Sequence, residues 1–480
     1  MNGSAQNDCP APYDGLNWAV ARAMRAVVEG AARVRDDPMR PRFHFRPPAR
    51  WMNDPNGPIH HNGWYHVFYQ HNPYGDTSGQ IHWGHTRSRD LVHWEHLPIA
   101  LWPSEDKGEA HCYSGCAAIN GEGRPMLFYT SVPPQKGGTH EQWAAIGDAD
   151  LVNWVKHPGN PILSLKTHGG PGFAHDWRDP FVFREGERTF LVLGAELVED
   201  GKRRATVAIY EAADASLARW TYRGILFTHP RDGVGFCECP NFFRLGRQWV
   251  LFTAPFGPVE YFIGDFDAET CRFEPRTSGI IDRTFNFYAS NVLFDAAGRC
   301  ILLGWVRAFP EGRGWNGCLS LPRVLTLGAD GRPVQQPVPE LKVLRGRHEA
   351  VSNVRLTGAP RPLGALRGNC LEVIAELAPD GAERFGLSLR AEGGRELARI
   401  SFGRGEADVS GVRFPFDVRR GEAVGVHAFL DRSVLEVFIG GRECVTLIVE
   451  PGEVGVELFA EGGGALVRSA DVWEMKSIWL

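Results

Sequence analysis

The chain has 480 residues, more than one typical hydrophobic core accommodates, so we expect two domains or one large repeat array. Hydrophobic residues make up 43% and charged residues 23%, the composition of a soluble globular protein. The net charge of −5 at pH 7 gives no reason to expect nucleic acid or an anionic membrane surface as a partner, and no segment approaches the roughly 18 apolar residues of a membrane span.

Residues 1–41 are predicted to form an N-terminal extension that is partly helical. Apolar residues recur mostly at three- and four-residue steps between Leu16 and Val34, and the pattern ends near Pro38. Residues 1–13 lack the basic region of a secretory signal. We therefore expect a cytoplasmic protein whose extension packs on the body of the molecule or on a partner subunit.

The ten cysteines are not arranged as a small disulfide framework, and a cytosolic chain keeps its thiols reduced. Two close pairs, Cys112 with Cys116 and Cys237 with Cys239, could each suggest part of a metal site. Neither pair is completed by a second pair of ligands at the spacing of a zinc site. We interpret these cysteines as small buried residues in strands, and the sequence predicts neither a metal nor a cofactor.

Residues 42–335 consist of short apolar or alternating runs separated by turn clusters, a pattern typical of an all-β domain without long helices. The region also contains weak self-similarity, in which an Asp or Ser, a Leu and a Trp recur after a strand. The repeated segments end at Trp94, Trp154 and Trp220, at intervals of about 60 residues. Roughly five such units fit into the region, which predicts a five-bladed β-propeller.

A second domain is predicted over residues 340–480. Pro333, Pro337 and Pro339 mark the boundary, and strand-like runs joined by glycine-rich turns follow it. About 140 residues of this kind indicate a β-sandwich. The sandwich offers a face for a homo-oligomer, although no sequence feature specifies one.

Three acidic residues, Asp54, Asp179 and Glu238, share the same local setting. Each lies in a stiff segment that contains a proline and leads into an aromatic strand. Residues 51–58, with two prolines and a glycine, cannot form an ordinary strand or helix. Taken alone, Asp54 could simply cap a turn. Three such acids in different blades would meet near the propeller axis, where their like charges would raise at least one pKa, as a general acid at neutral pH requires.

These segments resemble the signature motifs of glycoside hydrolase family 32, the β-fructofuranosidases. Residues 51–58 match the family's nucleophile motif, and residues 178–180 and 238–240 match its other two acidic motifs. Further matches extend over nearly the whole chain after residue 42, at residues 68–73, 83–85, 113–115, 287–290, 304–305, 314–317, 320–323, 429–438 and 473–479.

The resemblance implies a five-bladed β-propeller followed by a C-terminal β-sandwich, and a retaining hydrolase of terminal β-D-fructofuranosyl residues. Asp54 would be the nucleophile, Glu238 the acid/base and Asp179 the stabiliser of the transition state. The expected partner is a fructose-containing oligo- or polysaccharide. The substrate-binding residues it implies are Asn53, Gln70, Trp83, Tyr113, Ser114, Arg178 and Trp305. The alternative is that Trp83 and Trp305 fill the core and that Gln70 and Ser114 cap strands.

The chain departs from the family pattern at four positions. Ser78 stands where many members carry a Trp that walls the leaving-group site. Asn241 replaces an Asp, Cys237 a Trp, and Trp177 a Phe. None of the three acids is affected, so we expect cleavage at a fructosyl C2 with an altered leaving-group site, and sucrose is not assumed.

Three other functions stay open at this point. The altered leaving-group site favours a fructosyltransferase on the same scaffold as the first alternative. A non-catalytic fructan-binding propeller is the second, although it would be expected to lack one of the acids. A related five-bladed family that acts on arabinose or xylose substrates is the third, and residues 51–58 argue against it.

Overall fold

The architecture is built almost entirely from β-strands. The computed structural model describes residues 17–199, 201–419 and 421–479. Within them, five sheets of four or five strands are followed by two sheets of six strands. The predicted all-β fold, with a propeller followed by a sandwich, is confirmed.

Helix α1 (Trp18–Val34) precedes the first sheet. Asn17 caps its first turn with a side-chain hydrogen bond. Val20 on its apolar face packs against Ile99 of the first sheet, so this extension packs on the body of the molecule. Leu16, which the apolar pattern included, lies outside the described residues.

The first five sheets are blades I to V, named in chain order. Blade I contains β1 (Arg50–His61), β2 (Trp64–Asn72), β3 (His82–Ser88) and β4 (Trp94–Leu101), and blade II contains β5 (His111–Ile119), β6 (Pro125–Val132), β7 (Glu141–Gly147) and β8 (Trp154–Lys156). Blade III contains β9 (Phe173–Glu185), β10 (Arg188–Glu199), β11 (Lys202–Ala212) and β12 (Trp220–Thr228), and blade IV contains β13 (Glu238–Leu245), β14 (Gln248–Ala254), β15 (Glu260–Asp267) and β16 (Arg272–Ile280). Blade V contains β17 (Phe287–Phe294), β18 (Cys300–Val306), β20 (Cys318–Leu319), β21 (Arg323–Leu327) and β22 (Pro333–Pro337), while β19 (Trp315–Asn316) joins blade I.

The first strands of the five blades form a closed ring. Strand β1 contacts β5, β5 contacts β9, β9 contacts β13, β13 contacts β17, and β17 contacts β1 again. Strand β19 reinforces the closure, since it comes from the chain of blade V and pairs in parallel with β1. The first strand of each blade is therefore its innermost strand.

The self-similar segments of the sequence are the entries to outermost strands. Trp94, Trp154 and Trp220 are the first residues of β4, β8 and β12. Three residues earlier, a leucine adopts a left-handed backbone conformation in each blade, with φ of 62°, 58° and 58° at Leu91, Leu151 and Leu217. The repeat is thus a feature of blade construction and carries no chemistry.

Each innermost strand is interrupted by a β-bulge. The residues in these bulges are Asn53 and Asp54 in β1, Ser114 in β5, Asp179 and Pro180 in β9, Cys239 and Pro240 in β13, and Ala289 and Ser290 in β17. A bulge bends the strand and re-aims side chains. Residues 51–58 therefore do lie in a strand, contrary to expectation, but it is bulged twice, and Gly57 has a φ of 48°.

The second domain is a sandwich of two six-stranded sheets. One sheet contains β23 (Arg345–Leu356), β25 (Cys370–Asp380), β30 (Val424–Asp431), β31 (Val434–Ile439), β32 (Glu443–Ile448) and β34 (Gly464–Met475). The other contains β24 (Arg361–Pro362), β26 (Arg384–Ala391), β27 (Glu396–Gly403), β28 (Glu406–Val409), β29 (Val412–Pro415) and β33 (Val454–Glu461). Short 3₁₀ turns lie at Glu105–Lys107, Pro339–Leu344 and Glu392–Gly394.

Five buried charged side chains join the two domains, and we call them the interdomain cluster: His44, Asp282, Arg323, Asp431 and Glu436. Arg323 Nη2 donates to Glu436 Oε2 at 2.7 Å and lies 3.3 Å from Asp282 Oδ2. His44 contacts Asp431 Oδ2 through Nδ1 at 2.9 Å and Glu436 Oε1 through Nε2 at 3.0 Å. The cluster fixes the sandwich against the propeller through complementary charges.

The described cysteines form no disulfide with one another. Cys112 and Cys116 lie in β5, and Cys237 and Cys239 flank the first residue of β13. No group of three or more potential metal ligands occurs within the described ranges. Nor does any helix in that part of the chain have the length and apolarity to span a bilayer.

Candidate active site

The three acids meet in one cavity. Asp54, Asp179 and Glu238 come from β1, β9 and β13 and all line a cavity of about 620 Å³ in the propeller. A second cavity of about 650 Å³, at the boundary with the sandwich, contains none of them. The convergence of carboxylates, rather than the size of the cavity, singles out the first as the candidate active site.

Asp54 is held by donors on both of its carboxylate oxygens. Oδ2 accepts from Ser114 Oγ at 2.5 Å and from Gln70 Nε2 at 3.3 Å, while Oδ1 accepts from Asn53 Nδ2 at 3.1 Å. Burial and then the charge of Glu238 raise the pKa of Asp54, whereas the hydrogen bonds from Ser114 and Asn53 oppose this shift. The bulge residues of blades I and II thus supply an oriented carboxylate with its own hydrogen-bond donors.

Asp179 occupies a strained backbone position, with a φ of 67°. Its amide donates to Thr130 Oγ1 at 2.9 Å, and its Oδ2 accepts from the Cys239 amide at 3.0 Å. Burial raises the pKa of Asp179 to about 7, with Glu238 and Asp54 adding to the shift and the Arg178 charge opposing it. This strain is maintained because a neighbouring strand on each side fixes the bulge.

Glu238 lies between the Arg178 guanidinium and the Tyr288 hydroxyl. Its Oε1 accepts from Arg178 Nη2 at 2.8 Å, and its Oε2 is 2.5 Å from Tyr288 Oη. Tyr288 Oη also lies 2.9 Å from the Ala254 carbonyl and accepts from the Phe256 amide at 3.1 Å. The two carboxylate oxygens of Glu238 are therefore positioned by blades III and V.

Cys239 connects the acids. Its thiol lies 3.5 Å from Asp54 Oδ2 and 3.8 Å from Asp179 Oδ2, and it directly follows Glu238 in the chain. Burial, followed by the charges of Asp179 and Asp54, raises the pKa of this thiol far above its usual value, so it stays protonated and donates. One residue of blade IV thus contacts the carboxylates of blades I and III.

Aromatic side chains form another part of the cavity wall. Trp51 Nε1 donates to Asn53 Oδ1 at 2.8 Å, and the rings of Trp51 and Trp305 meet edge to face at 5.5 Å. The guanidinium of Arg307 lies 3.9 Å from the centre of the Tyr288 ring. No carboxylate among the described residues forms a salt bridge with Arg307, so it brings a positive charge to the cavity that no ion pair neutralises.

Comparisons with known proteins place this chain in a family. The model for the N-terminal domain of glycosyl hydrolases family 32 matches residues 44–337, and the model for the family 32 C-terminal domain matches residues 340–474. The chain belongs to glycoside hydrolase family 32. It is a glycoside hydrolase, as the sequence motifs indicated.

Proteins from different organisms are similar to this chain over most of its length. A levanase from Bacillus subtilis (strain 168) is 32% identical over 92% of this chain and 71% of its own. A sucrose-6-phosphate hydrolase from Zymomonas mobilis is 32% identical over 95% of this chain and 96% of its own. The crystal structure of fructan 1-exohydrolase IIa from Cichorium intybus in complex with 1-kestose superposes with a TM-score of 0.80, at 26% identity over 92% of this chain and 98% of that one.

Six of the seven predicted substrate-binding residues lie at the candidate active site. Asn53, Gln70, Tyr113, Arg178 and Trp305 line the cavity, and Ser114 holds Asp54 from behind it. Trp83 requires a correction, because it is fully buried and packs against Phe68 and Tyr129 between blades I and II. Its Nε1 donates to the Tyr113 carbonyl at 3.1 Å, so it supports a cavity residue without reaching the cavity.

The four departures from the family 32 pattern differ in position. Ser78 borders the cavity. Trp177 and Cys237 are buried in the hydrophobic core of the propeller. Asn241 is also buried and donates to the Cys239 carbonyl at 3.3 Å. Of the four, Ser78 is the one that changes the surface available to a substrate.

Sequence reasoning assigned no role to several residues at the candidate active site. Among them are Cys239, Phe256, Tyr288 and Arg307. Cys239 and Tyr288 lie inside the matched motifs, so motif membership was an available signal. Phe256 and Arg307 carried no signal, because their position at the cavity depends on how blades IV and V close against the others.

Proposed function

We propose that this protein is a retaining β-fructofuranosidase that releases terminal β-D-fructofuranosyl units from fructans or small fructosides. The observation that carries the proposal is the convergence of Asp54, Asp179 and Glu238 on one cavity through Cys239 and Arg178. The names of the levanase and the fructan exohydrolase, which are similar to this chain, support the fructosyl substrate.

Asp54 is the proposed nucleophile. Its Oδ2 faces three donors, from Ser114, Gln70 and Cys239, whereas Oδ1 faces only Asn53 in the described part of the chain. Oδ1 therefore retains the freer lone pair to attack C2 of the fructosyl unit. The C2–O bond to the leaving group breaks as the Asp54 ester forms, and water later attacks C2 to release fructose and the carboxylate.

Glu238 is the proposed acid/base, which must give a proton in the first step and take one in the second. Tyr288 suits both states because its hydroxyl has two acceptors for one proton. When Glu238 is ionised, the Tyr288 hydroxyl donates to it. When Glu238 is protonated, the carboxyl donates to Tyr288, whose own proton turns to the Ala254 carbonyl.

Asp179 is the proposed stabiliser of the oxocarbenium-like transition state. It lies beside Arg178, with Nε 3.8 Å from Oδ2, and is held by the Cys239 amide. A carboxylate fixed in this way places negative charge near the cationic sugar ring without a reorganisation of solvent.

The experiment is an incubation with inulin, levan, 1-kestose and sucrose, followed by product chromatography. We expect free fructose from at least one of them, and none from the Asp54→Asn variant. Folded protein that releases no fructose from any substrate would contradict the proposal. The same chromatography at high sucrose separates hydrolysis from fructosyl transfer, because only transfer gives products longer than the substrate.

A phosphorylated sucrose is a second candidate substrate, and the specific observation in its favour is Arg307. This side chain lines the cavity beside Tyr288 and Trp305, and burial lowers its pKa, as expected for a guanidinium without a carboxylate partner. The Zymomonas mobilis relative is named a sucrose-6-phosphate hydrolase. If the anion is recognised here, Arg307→Ala lowers kcat/KM for sucrose 6-phosphate far more than for sucrose. Equal losses on both substrates would exclude Arg307 as the phosphate contact.

A further inference from the structure

Phe256 is exposed at the cavity in a backbone conformation that an aromatic residue rarely adopts. It lines the cavity, 60% of its surface is exposed, and its φ is 60°. A bulky residue in the left-handed region costs about 1–3 kcal/mol. Burial of the ring does not offset this strain, and a glycine, Gly257, follows immediately in the sequence. The fold therefore maintains a strained, exposed ring at the edge of the candidate active site.

The backbone of Phe256 connects this ring to the proposed proton donor. The Phe256 amide donates to Tyr288 Oη at 3.1 Å, and that oxygen is 2.5 Å from Glu238 Oε2. Asp54 is held instead by Asn53, Gln70 and Ser114. Because the general acid must face the oxygen that departs, Phe256 belongs to the leaving-group side of the cavity.

Ser78 also borders the cavity, but its side chain is small and polar, unlike the aromatic ring of Phe256. A serine side chain offers no apolar face to a sugar ring. A substrate whose leaving group is a sugar therefore finds an aromatic surface at Phe256 and none at Ser78. Binding energy from a part of the substrate that does not react can be used to lower the barrier at the reacting centre.

We propose that Phe256 is the platform on which the sugar ring of the leaving group stacks, and that it determines the preference for glycosyl over small leaving groups. The inference rests on the proposed function. It concerns the ring alone, since an alanine at this position keeps the backbone amide that donates to Tyr288. Binding by the ring and positioning of Glu238 through the amide can thus be separated.

The test compares kcat/KM on 1-kestose and sucrose with kcat/KM on methyl β-D-fructofuranoside, whose leaving group is methanol. We expect Phe256→Ala to lose about tenfold on the two sugar-leaving substrates and to keep parental values on the methyl fructoside. Phe256→Tyr keeps the ring and is expected to keep all three values. Phe294→Ala removes another exposed phenylalanine, at the far end of β17, and is expected to behave as the parent.

Two results would overturn the inference while leaving the proposed function intact. Equal losses on all three substrates would mean that Phe256 acts through Glu238, and parental values on all three would mean that its ring contributes nothing. A parent protein that releases fructose from none of the substrates, the methyl fructoside included, would overturn the proposed function and the inference together.

Discussion

The central cavity and the interdomain cluster each bring three carboxylates together, but the cations and amides that surround them differ. Arg178 is the cation that pairs with the acids of the cavity. The interdomain cluster supplies both Arg323 and His44, and backbone amides of residues 42–44 and 321 also donate to its acids.

Two acids of each set consequently have pKa shifts in opposite directions. In the cavity, burial raises the pKa of Asp54 and Asp179. In the interdomain cluster, burial acts in the same direction, but Arg323 and His44 lower the pKa of Glu436 to about 2, and His44 also holds the pKa of Asp431 below its usual value. Asp282 is the exception there, because burial outweighs Arg323 and raises its pKa. Buried acids are common in folded proteins, and what distinguishes Asp54 and Asp179 is that their burial is incompletely compensated beside a cavity.

The largest expected effect is a loss of activity when an acid of the central cavity is replaced. We expect Asp54→Asn and Glu238→Gln each to lower kcat by a factor on the order of 10⁴ or more, with folding unimpaired, because they remove the proposed nucleophile and the proposed acid/base. Fructose release and the urea unfolding midpoint are the measurements. The control is Asp265→Asn on the surface of blade IV, and near-parental turnover of either site variant would refute its role.

At the interdomain cluster we expect the replacement of an acid to lower stability and to leave activity unchanged. We expect Glu436→Gln to lower the free energy of unfolding by on the order of 3 kcal/mol, because the buried Arg323 and His44 each lose one of two charged partners and keep only Asp282 and Asp431. The kcat of the folded protein should not change. Glu474→Gln, in an exposed pair with Arg347, is the matched control and should leave the unfolding midpoint unchanged. A large loss of kcat in the Glu436 variant would contradict the division of roles.

The free energy of unfolding should depend on pH because His44 titrates at a higher pH in the folded protein than in the unfolded chain. Burial opposes its charge, but the hydrogen bonds to Asp431 and Glu436 raise its pKa from 6.5 to about 9. The folded protein therefore binds this proton more tightly than the unfolded chain, so the stabilisation is complete below pH 6.5 and is lost as the pH rises to 9. We expect the free energy of unfolding to fall across this window by up to about 1.4 kcal/mol per pH unit. His44→Gln should flatten the slope in this window.

The smallest expected effect is a gain in stability from the loss of a site acid. Because the pKa of Asp179 is raised from 3.8 to about 7, its contribution to stability is present at low pH and is lost as the pH rises through 7. We expect Asp179→Asn to raise the free energy of unfolding by on the order of 1–2 kcal/mol at pH 8, with the gain shrinking toward pH 4. Hydrolysis should be lost at the same time. A variant that is less stable than the parent at pH 8 would show that Asp179 is a structural acid.

Local sequence patterns determined much of the molecule. The proline-containing segments around Asp54, Asp179 and Glu238 identified all three acids that the structure brings together, because proline and its neighbours restrict the backbone whatever the rest of the chain does. The Trp that recurs at the start of the outermost strand in blades I, II and III likewise indicated the blade repeat, since each blade is built from the same local packing unit. Apolar spacing predicted helix α1 for the same reason.

Tertiary structure decided what each side chain faces. Trp83 carries the family motif, yet it is directed into the core between two blades, while Phe256 and Arg307, which carry no motif, line the cavity. The bulges that aim the acids arise from the pairing of each innermost strand with its neighbour. His44 and Glu436 are 392 positions apart in the chain, so their contact depends on the docking of one domain on the other. Backbone shape is set by neighbours in sequence, whereas burial, charge compensation and access to the cavity are set by neighbours in space.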